Sequence, residues 1–267
     1  MHLERDGIRF NFRDEGTGQP FVYQHGLGGD VSQPFGFFAG THAGLRLLGI
    51  DCRAHGETRP LGPVDKISIE SFADDVIALM DFRGIDRAVV GGISMGAAIS
   101  LNIALRYPER VRALILQRPA WLDQPMPPNL RVLVTIGELI RSEGTVKGRE
   151  TFVKSEAYAA LMRESPDGAA AMLAQFAHPR AAETAVKLVR IPHDSPCSNR
   201  AWKTLRLPVL VIVNRMDPIH PLEFGQTLAK GIPGAVSCEV TPKSISIERH
   251  TSDVRKGIED FIEGLPV

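Results

Sequence analysis

The hydrophobic residues of the chain fall into short runs that are separated by polar or glycine-rich segments. In chain order, these runs are PFVYQ, LRLLGI, AVVGG, VRALIL, PVLVIV and AVSCEV. Continuous apolar runs of this length are typical of strands that are buried on both faces of a sheet. Between several runs, apolar residues recur at helical spacing, and Asp6-Gly7 favours a tight hairpin turn near the start. The pattern predicts an α/β fold, in which a mostly parallel sheet that begins with an antiparallel hairpin carries helices on both faces.

The strand pattern is interrupted in the middle of the chain. From 121 to 200 no strand-like run appears, whereas apolar residues such as Leu130 and Leu133 recur at helical spacing. The strand pattern then resumes with PVLVIV. This resumption favours one core, formed by residues 1–120 and 201–267, with 121–200 inserted as a helical cap, over two separate domains.

Composition narrows the classes of protein to consider. The chain has 267 residues, 43% of them hydrophobic, which suits a single domain with a large core. Basic and acidic residues number 31 each, so the net charge favours neither nucleic acid nor an anionic membrane surface as a partner. Three cysteines without metal-like spacing are too few for a disulfide framework, and the N-terminus carries charges where a leader would be apolar. We expect a cytoplasmic protein, and its oligomeric state cannot be read from the sequence.

One apolar segment, 88–105, is long enough to resemble a membrane span. It contains glycine, serine and asparagine residues and changes from a strand-like run to an alanine-rich one. We therefore interpret it as a buried strand followed by a buried helix.

The strongest chemical motif is Gly92-Ile93-Ser94-Met95-Gly96, which lies at this change from strand to helix. It matches the G-x-S-x-G nucleophile elbow, a strained turn that presents a serine hydroxyl above the edge of a sheet. The small residues on either side allow neighbouring backbone to approach closely. We therefore predict that Ser94 is a nucleophile.

With this motif and three further blocks, the chain resembles the α/β-hydrolases over nearly its whole length. The blocks are HGLGG at 25–29, DCRAHGET at 51–58 and ALRYPERVRALIL at 104–116. In the second block, Ala54 and Thr58 replace the glycine and serine that are usual in the family. The resemblance implies that the amides of Leu27 and Met95 form an oxyanion hole and that Asp51 supports a loop.

A serine nucleophile requires a base that is itself oriented by a carboxylate. The resemblance implies the order serine, acid, histidine, with the acid after the strand that follows the insertion and the histidine after the last strand. Asp217 and His250 fit these positions, so the predicted triad is Ser94, Asp217 and His250. The alternative base is His220, which would share a loop with Asp217. We expect His25 and His55 to stabilise turns.

Two further residues are candidates for the substrate pocket. Arg118 follows a strand at the edge where ligands bind in open α/β sheets, so it either binds a substrate carboxylate or pairs within the base of the insertion. Trp121 either lines the pocket or belongs to the core.

The predicted reaction is acyl transfer from a small-molecule ester or lactone to Ser94 and then to water, without a cofactor or metal ion. Serine in place of aspartate disfavours the halide-displacing and epoxide-opening branches of the fold. The resemblance is to carboxylesterases, enol-lactone hydrolases and perhydrolases, and carbon–carbon bond hydrolases share the same triad. An acyltransferase and a non-catalytic binding protein on the same fold are the remaining alternatives.

Overall fold

The computed structural model describes residues 1–38 and 44–266. Its central feature is an eight-stranded sheet in the order β1-β2-β4-β3-β5-β6-β7-β8. The strands are β1 (His2–Arg5), β2 (Ile8–Gly16), β3 (Gln19–Gln24), β4 (Leu45–Ile50), β5 (Ala88–Ile93), β6 (Val111–Gln117), β7 (Val209–Val213) and β8 (Val236–Glu239). Strand β2 is antiparallel to β1 and β4, and all other pairs are parallel. The predicted hairpin and mostly parallel sheet are confirmed.

Ten α-helices accompany the sheet in the described residues. They are α1 (Ser32–Phe37), α2 (Ile69–Phe82), α3 (Met95–Arg106), α4 (Arg131–Val153), α5 (Glu156–Glu164), α6 (Pro166–Ala177), α7 (Ala181–Thr184), α8 (Val186–Arg190), α9 (Leu222–Gly231) and α10 (Ile247–Glu263). Short 3₁₀ helices occupy Val64–Lys66, Pro108–Arg110, Pro128–Leu130, Ile191–His193 and Ala201–Thr204. Helices α4 to α8 follow one another between β6 and β7 with no strand among them.

The central strands are buried because helices cover both faces of the sheet. Successive residues of β5 and β7 alternate between two hydrophobic clusters, so that Val90 and Val211 pack on one face while Val89 and Ile212 pack on the other. Burial of each such side chain contributes roughly 1.5–3 kcal/mol. This two-sided burial explains why these strands appear in the sequence as continuous apolar runs.

The apolar segment 88–105 forms β5 and most of α3, as expected for a buried strand and helix. In the described part of the chain, none of the helices has the length and apolar character required to cross a membrane.

The last strand differs from the expectation of a buried strand. Three of the four residues of β8 are exposed, among them Val236. Strand β8 forms the edge of the sheet and pairs only with β7, so its faces are not enclosed as those of the central strands are.

Candidate active site

The parallel order of the sheet places the candidate residues side by side. Strands β3, β5, β6, β7 and β8 are consecutive neighbours, so their carboxyl ends meet along one edge. The residues that follow these ends are, in the same order, Leu27, Ser94, Arg118, the pair Asp217 and His220, and Lys243. Each neighbouring strand therefore contributes to one site.

Ser94 occupies a strained turn between β5 and α3, with φ 56° and ψ −108°. A non-glycine residue is rarely found in this region, and such strain concentrates at functional sites. The glycines on either side permit the turn because a Cβ on Gly92 would lie 2.5 Å from the Gly96 carbonyl carbon, and one on Gly96 would lie 2.3 Å from the Gln24 carbonyl oxygen. The backbone geometry is that of a nucleophile elbow.

Two amides near Ser94 are free to bind an oxyanion. Met95 is the first residue of α3, so its N–H has no acceptor within the helix. The N–H of Leu27 donates no hydrogen bond to the described residues, whereas the preceding amide, that of Gly26, donates to Gln33 Oε1 at 2.7 Å. Both donors that the resemblance implied are therefore unoccupied.

Hydrogen-bond contacts of two buried histidines, His25 and His55, fix the loop that carries Leu27. The Cys52 N–H donates to His25 Nε2 at 3.1 Å, and His55 Nε2 lies 3.0 Å from the Leu27 carbonyl oxygen. The buried Asp51 accepts hydrogen bonds from the amides of Val31 and Glu57. These contacts agree with the structural roles expected for His25, His55 and Asp51.

Asp217 forms a compact polar cluster with Arg118 and His220. Its Oδ2 lies 2.8 Å from Arg118 Nη2 and 2.9 Å from His220 Nδ1. The side chains of Asp217 and His220 are each 9% exposed. The His220 N–H also donates to the Asp217 backbone oxygen at 3.1 Å, so one turn fixes the pair.

The hydrogen bonds of His220 leave one of its ring nitrogens available. His220 Nδ1 lies 2.9 Å from Asp217 Oδ2 and 3.0 Å from Arg118 Nη2. We assign the proton to Nδ1, because Asp217 Oδ2 can accept from both His220 and Arg118, and this neutral tautomer has an unprotonated Nε2. Nε2 makes no hydrogen bond within the described residues, and His220 lines the same cavity as Ser94. No hydrogen bond joins the Ser94 hydroxyl to His220 or to His250 in the described structure. Such contacts are often long without substrate and shorten in the reacting complex.

The predicted pairing of Asp217 with His250 is not formed. His250 lies in the first turns of α10 and is fully buried, and its Nδ1–H donates to the Thr241 carbonyl oxygen at 2.8 Å. Its Nε2 is buried without a partner among the described residues, and the ring does not line the cavity of Ser94. The reason is the path of the chain after β8, which gives His250 a nearby backbone acceptor in place of the carboxylate.

The cavity in front of Ser94 has a volume of about 230 Å³. Its walls include Leu27 and Ile219 from the core, and Leu133 of α4 with Met172 and Gln175 of α6. The helical segment between β6 and β7 therefore contributes directly to the candidate site.

Of the two predicted pocket residues, the structure brings only Arg118 to the cavity. Trp121 is 2% exposed and lies instead beside a much smaller space lined by Leu101, Leu116 and Leu228. It belongs to the hydrophobic core, because the chain after β6 folds inward against α3. The prediction that Trp121 lines the substrate pocket is thus not met.

Lys243 is a cavity residue that the sequence interpretation missed. It lies between β8 and α10 and lines the cavity with Ser94 and His220. Its position in the sequence could have identified it, because the loop after the last parallel strand begins at the edge of the sheet where the other site residues lie.

Burial and neighbouring charges shift the titration of the site. Although burial opposes ionisation of Asp217, His220 and Arg118 hold its pKa well below the usual range. Burial, assisted by the charge of Arg118, lowers the pKa of His220 against the opposing effect of Asp217. Burial and Arg118 lower the pKa of Lys243 to about 8, and burial is the main reason that the pKa of His250 falls to about 4. At neutral pH, Asp217 is ionised and His220 is neutral.

The described residues contain no group of three or more histidine, cysteine, aspartate or glutamate side chains arranged to hold a metal ion. The three cysteines, Cys52, Cys197 and Cys238, are free thiols.

Comparison with known proteins agrees with this architecture. The 2-hydroxymuconate semialdehyde hydrolase of Pseudomonas putida is 30% identical over 247 residues, which cover 86% of this chain and 81% of that protein. The crystal structure of the enol-lactonase from Burkholderia xenovorans LB400 superposes with a TM-score of 0.77 at 25% identity and covers 98% of this chain and 100% of that one.

A match to the bifunctional epoxide hydrolase 2 of Sus scrofa, 30% identical over 128 residues, covers 48% of this chain and only 22% of that protein. The family described as alpha/beta hydrolase fold matches residues 19–244, which is most of the chain. The mostly parallel sheet and the strained serine turn after β5 agree with this match. This protein therefore belongs to the alpha/beta hydrolase fold family.

Proposed function

We propose that this protein is a serine hydrolase that cleaves a carboxylic ester or lactone of a small molecule through an acyl-enzyme on Ser94. The observation that carries the proposal is the placement of Ser94, on a strained elbow, in one cavity with a histidine that is hydrogen-bonded to a buried carboxylate. These are the groups that nucleophilic catalysis by serine requires.

We assign the general base to His220 rather than to His250. His220 Nδ1 is held by Asp217, which leaves Nε2 to take the proton of the Ser94 hydroxyl as Oγ attacks the substrate carbonyl. His220 then protonates the leaving oxygen. In the second step it accepts a proton from the water that attacks the acyl group, and it returns that proton to Ser94 Oγ as the bond between Oγ and the acyl carbon breaks. Asp217 stabilises the imidazolium that forms in each step.

The oxyanion that develops on the carbonyl oxygen is assigned to the amides of Leu27 and Met95. Both N–H groups lack another acceptor among the described residues, and both are fixed by backbone next to Ser94. Loss of one such donor typically costs about 3 kcal/mol of transition-state stabilisation. The elbow therefore supplies part of the catalytic environment as well as the nucleophile.

The cavity volume supports a small substrate. Its volume of about 230 Å³ lies below the range of about 300–1,000 Å³ that is usual for small-molecule pockets. We propose that the segment 121–200 acts as a cap that sets this size, because Leu133, Met172 and Gln175 close one side of the cavity. The likeness to an enol-lactonase supports a lactone or an ester of modest size.

Hydrolysis of a carbon–carbon bond is a second candidate. It is favoured by the 30% identity, over most of both chains, to a protein named 2-hydroxymuconate semialdehyde hydrolase. The two candidates share a serine, a base and an oxyanion hole, so the type of bond that is cleaved must be measured.

A fluorophosphonate probe and a panel of substrates test the proposal together. We expect rapid labelling of the wild-type protein and of Ser252→Ala, which changes an exposed serine of α10, and no labelling of Ser94→Ala. The panel contains short esters, lactones and a vinylogous 1,5-diketone acid. Ester or lactone turnover supports the proposal, cleavage of the diketone alone supports the second candidate, and a folded wild-type protein that is not labelled contradicts both.

A further inference from the structure

We propose that the Ser94 cavity selects substrates that carry a carboxylate, which binds at Lys243 beside Arg118. The inference names the substrate class of the hydrolase proposed above and rests on that function. It is carried by the charges that line the cavity and by the hydrogen bonds that each of them makes.

The charged residues that line the cavity are both cations. Arg118 and Lys243 contribute positive charge, while the remaining described lining residues are neutral at pH 7, including His220 and the amides Gln33 and Gln175. No aspartate or glutamate of the described chain lines the cavity. Asp217 does not line this cavity, and its Oδ2 lies 2.8 Å from Arg118 Nη2 and 2.9 Å from His220 Nδ1. The cavity therefore presents more positive than negative charge to a substrate.

Arg118 already uses some of its hydrogen-bond donors within the protein. Its Nη2 bonds Asp217 at 2.8 Å, and its backbone N–H donates to the Ile212 oxygen. Its Nε, however, is buried and has no hydrogen-bond partner among the described residues. A buried donor without an acceptor costs roughly 1–3 kcal/mol, so an anion in this part of the cavity would find an unsatisfied donor close by.

Lys243, unlike Arg118, is not paired with an acidic side chain among the described residues. It is only partly exposed, yet its ammonium group makes no hydrogen bond or ion pair with any residue the structure describes. The charged groups that act on the pKa of Lys243 are Arg118, Asp217 and Asp167. Of these, Asp167 is held by Ser165, whose hydroxyl donates to its Oδ1. A carboxylate bound in the cavity would give Lys243 the counter-charge that the protein does not supply at contact distance.

The position of the two cations also fits the reaction. Lys243 and Ser94 lie after strands at opposite ends of the row β5-β6-β7-β8, with Arg118 and His220 between them, and all four line one cavity of about 230 Å³. A substrate whose carboxylate is a few bonds from its ester carbonyl would reach both ends. Binding energy from the carboxylate would then hold the carbonyl near Ser94.

The titration of Lys243 makes the proposal sensitive to pH. Its pKa of about 8 leaves it charged at pH 7 and increasingly neutral above pH 8. A bound anion favours the charged form, so affinity for an anion is expected to fall as the pH rises from 7 to 9. Arg118 keeps its charge throughout this range.

The test uses Ser94→Ala, in which binding is measured without turnover. The probes are monomethyl succinate, which has one carboxylate, and dimethyl succinate, its neutral counterpart, with affinity measured by calorimetry at pH 7. We expect the monoester to bind about tenfold or more tightly than the diester. Adding Lys243→Met should remove most of that preference, Lys243→Arg should keep it, and Lys154→Met, which changes an exposed lysine, should leave it unchanged.

Three results would overturn the proposal. They are equal affinity for the two probes, a preference that survives Lys243→Met in a folded protein, and no binding of the monoester at concentrations on the order of 10 mM, where even weak sites fill. Failure of the proposed function is a separate result, because it is read from wild-type labelling and turnover. A protein that prefers the monoester but is never labelled would keep the anion site and lose the hydrolase assignment.

Discussion

The side chains of Asp217 and His220 meet within a single turn, with Oδ2 of the aspartate 2.9 Å from Nδ1 of the histidine. The backbone reinforces the contact, because the His220 N–H lies 3.1 Å from the Asp217 carbonyl oxygen and 3.2 Å from its Oδ1. Arg118 Nη2 lies 2.8 Å from the same Oδ2 and 3.0 Å from His220 Nδ1. The proposed acid and base thus come from the same loop, after β7, and this arrangement leads to the following predictions.

Replacement of His220 by Asn is expected to lower kcat for a cleavable ester by about 10²–10⁴-fold, the usual contribution of a general base. His250→Asn should lower kcat far less, because that ring binds the Thr241 carbonyl and does not line the cavity. Steady-state kinetics with circular dichroism as a check of folding measure both, and His193→Asn, on the surface, is the control. A larger loss in folded His250→Asn than in His220→Asn would refute the assignment.

Asp217→Asn is expected to lower kcat by about 10²–10⁴-fold, because an amide neither fixes the His220 tautomer nor stabilises the imidazolium. KM for a neutral ester should change little, since Asp217 does not line the cavity. The measurement is kcat and KM separately, with Asp65→Asn at an exposed position as the control. Wild-type kcat in Asp217→Asn would exclude this carboxylate from the mechanism.

The pH dependence of kcat/KM should reflect the lowered pKa of His220. A base must be unprotonated, so activity rises with pH through that pKa, and we expect the acidic limb below the ordinary histidine value of 6.5. Arg118 lowers this pKa and Asp217 raises it. Arg118→Met should therefore move the limb to higher pH, and Asp217→Asn should move its residual activity to lower pH. Shifts in the same direction would contradict this electrostatic description.

The elbow should not tolerate a methyl group at Gly96. A Cβ there would lie 2.3 Å from the Gln24 carbonyl oxygen, a backbone atom that cannot rotate away. We expect Gly96→Ala to destabilise the fold by about 1–3 kcal/mol, or more if the loop cannot shift. Gly36→Ala, within α1, is the matched control because its Cβ would meet nothing within 4 Å. Urea unfolding measures both, and equal stability of the two variants would show that the elbow relaxes.

The positions of Ser94, Leu27 and Asp217 could be predicted because they depend on local and repetitive features. The elbow is a short motif whose glycines are required by contacts within a few residues and with the neighbouring strand. Strand order then determines which chain segments reach the shared edge of a parallel sheet. Both features can be identified from the alternation of apolar runs and turns in the sequence.

The partner of Asp217 could not be chosen by order along the chain. The choice between His220 and His250 depends on how the segment between β8 and α10 turns, and the Thr241 carbonyl binds the second ring there. Spacing offered a usable signal, since an aspartate and a histidine three residues apart in one turn can bond directly. Trp121 illustrates the same limit, because an aromatic residue near the edge of the sheet suits the core as well as a pocket.

Asp217 and His220 lie in the same turn, and this affects how the protein responds to changes at its C-terminal end. When two partners belong to separate segments, displacement of either segment changes their separation. Here the spacing is set by one turn between β7 and α9, so trimming or fusing the C-terminal end of α10 should leave that geometry intact. Tags or partner domains can therefore be attached behind α10 with little risk to the hydrogen bond between the two side chains.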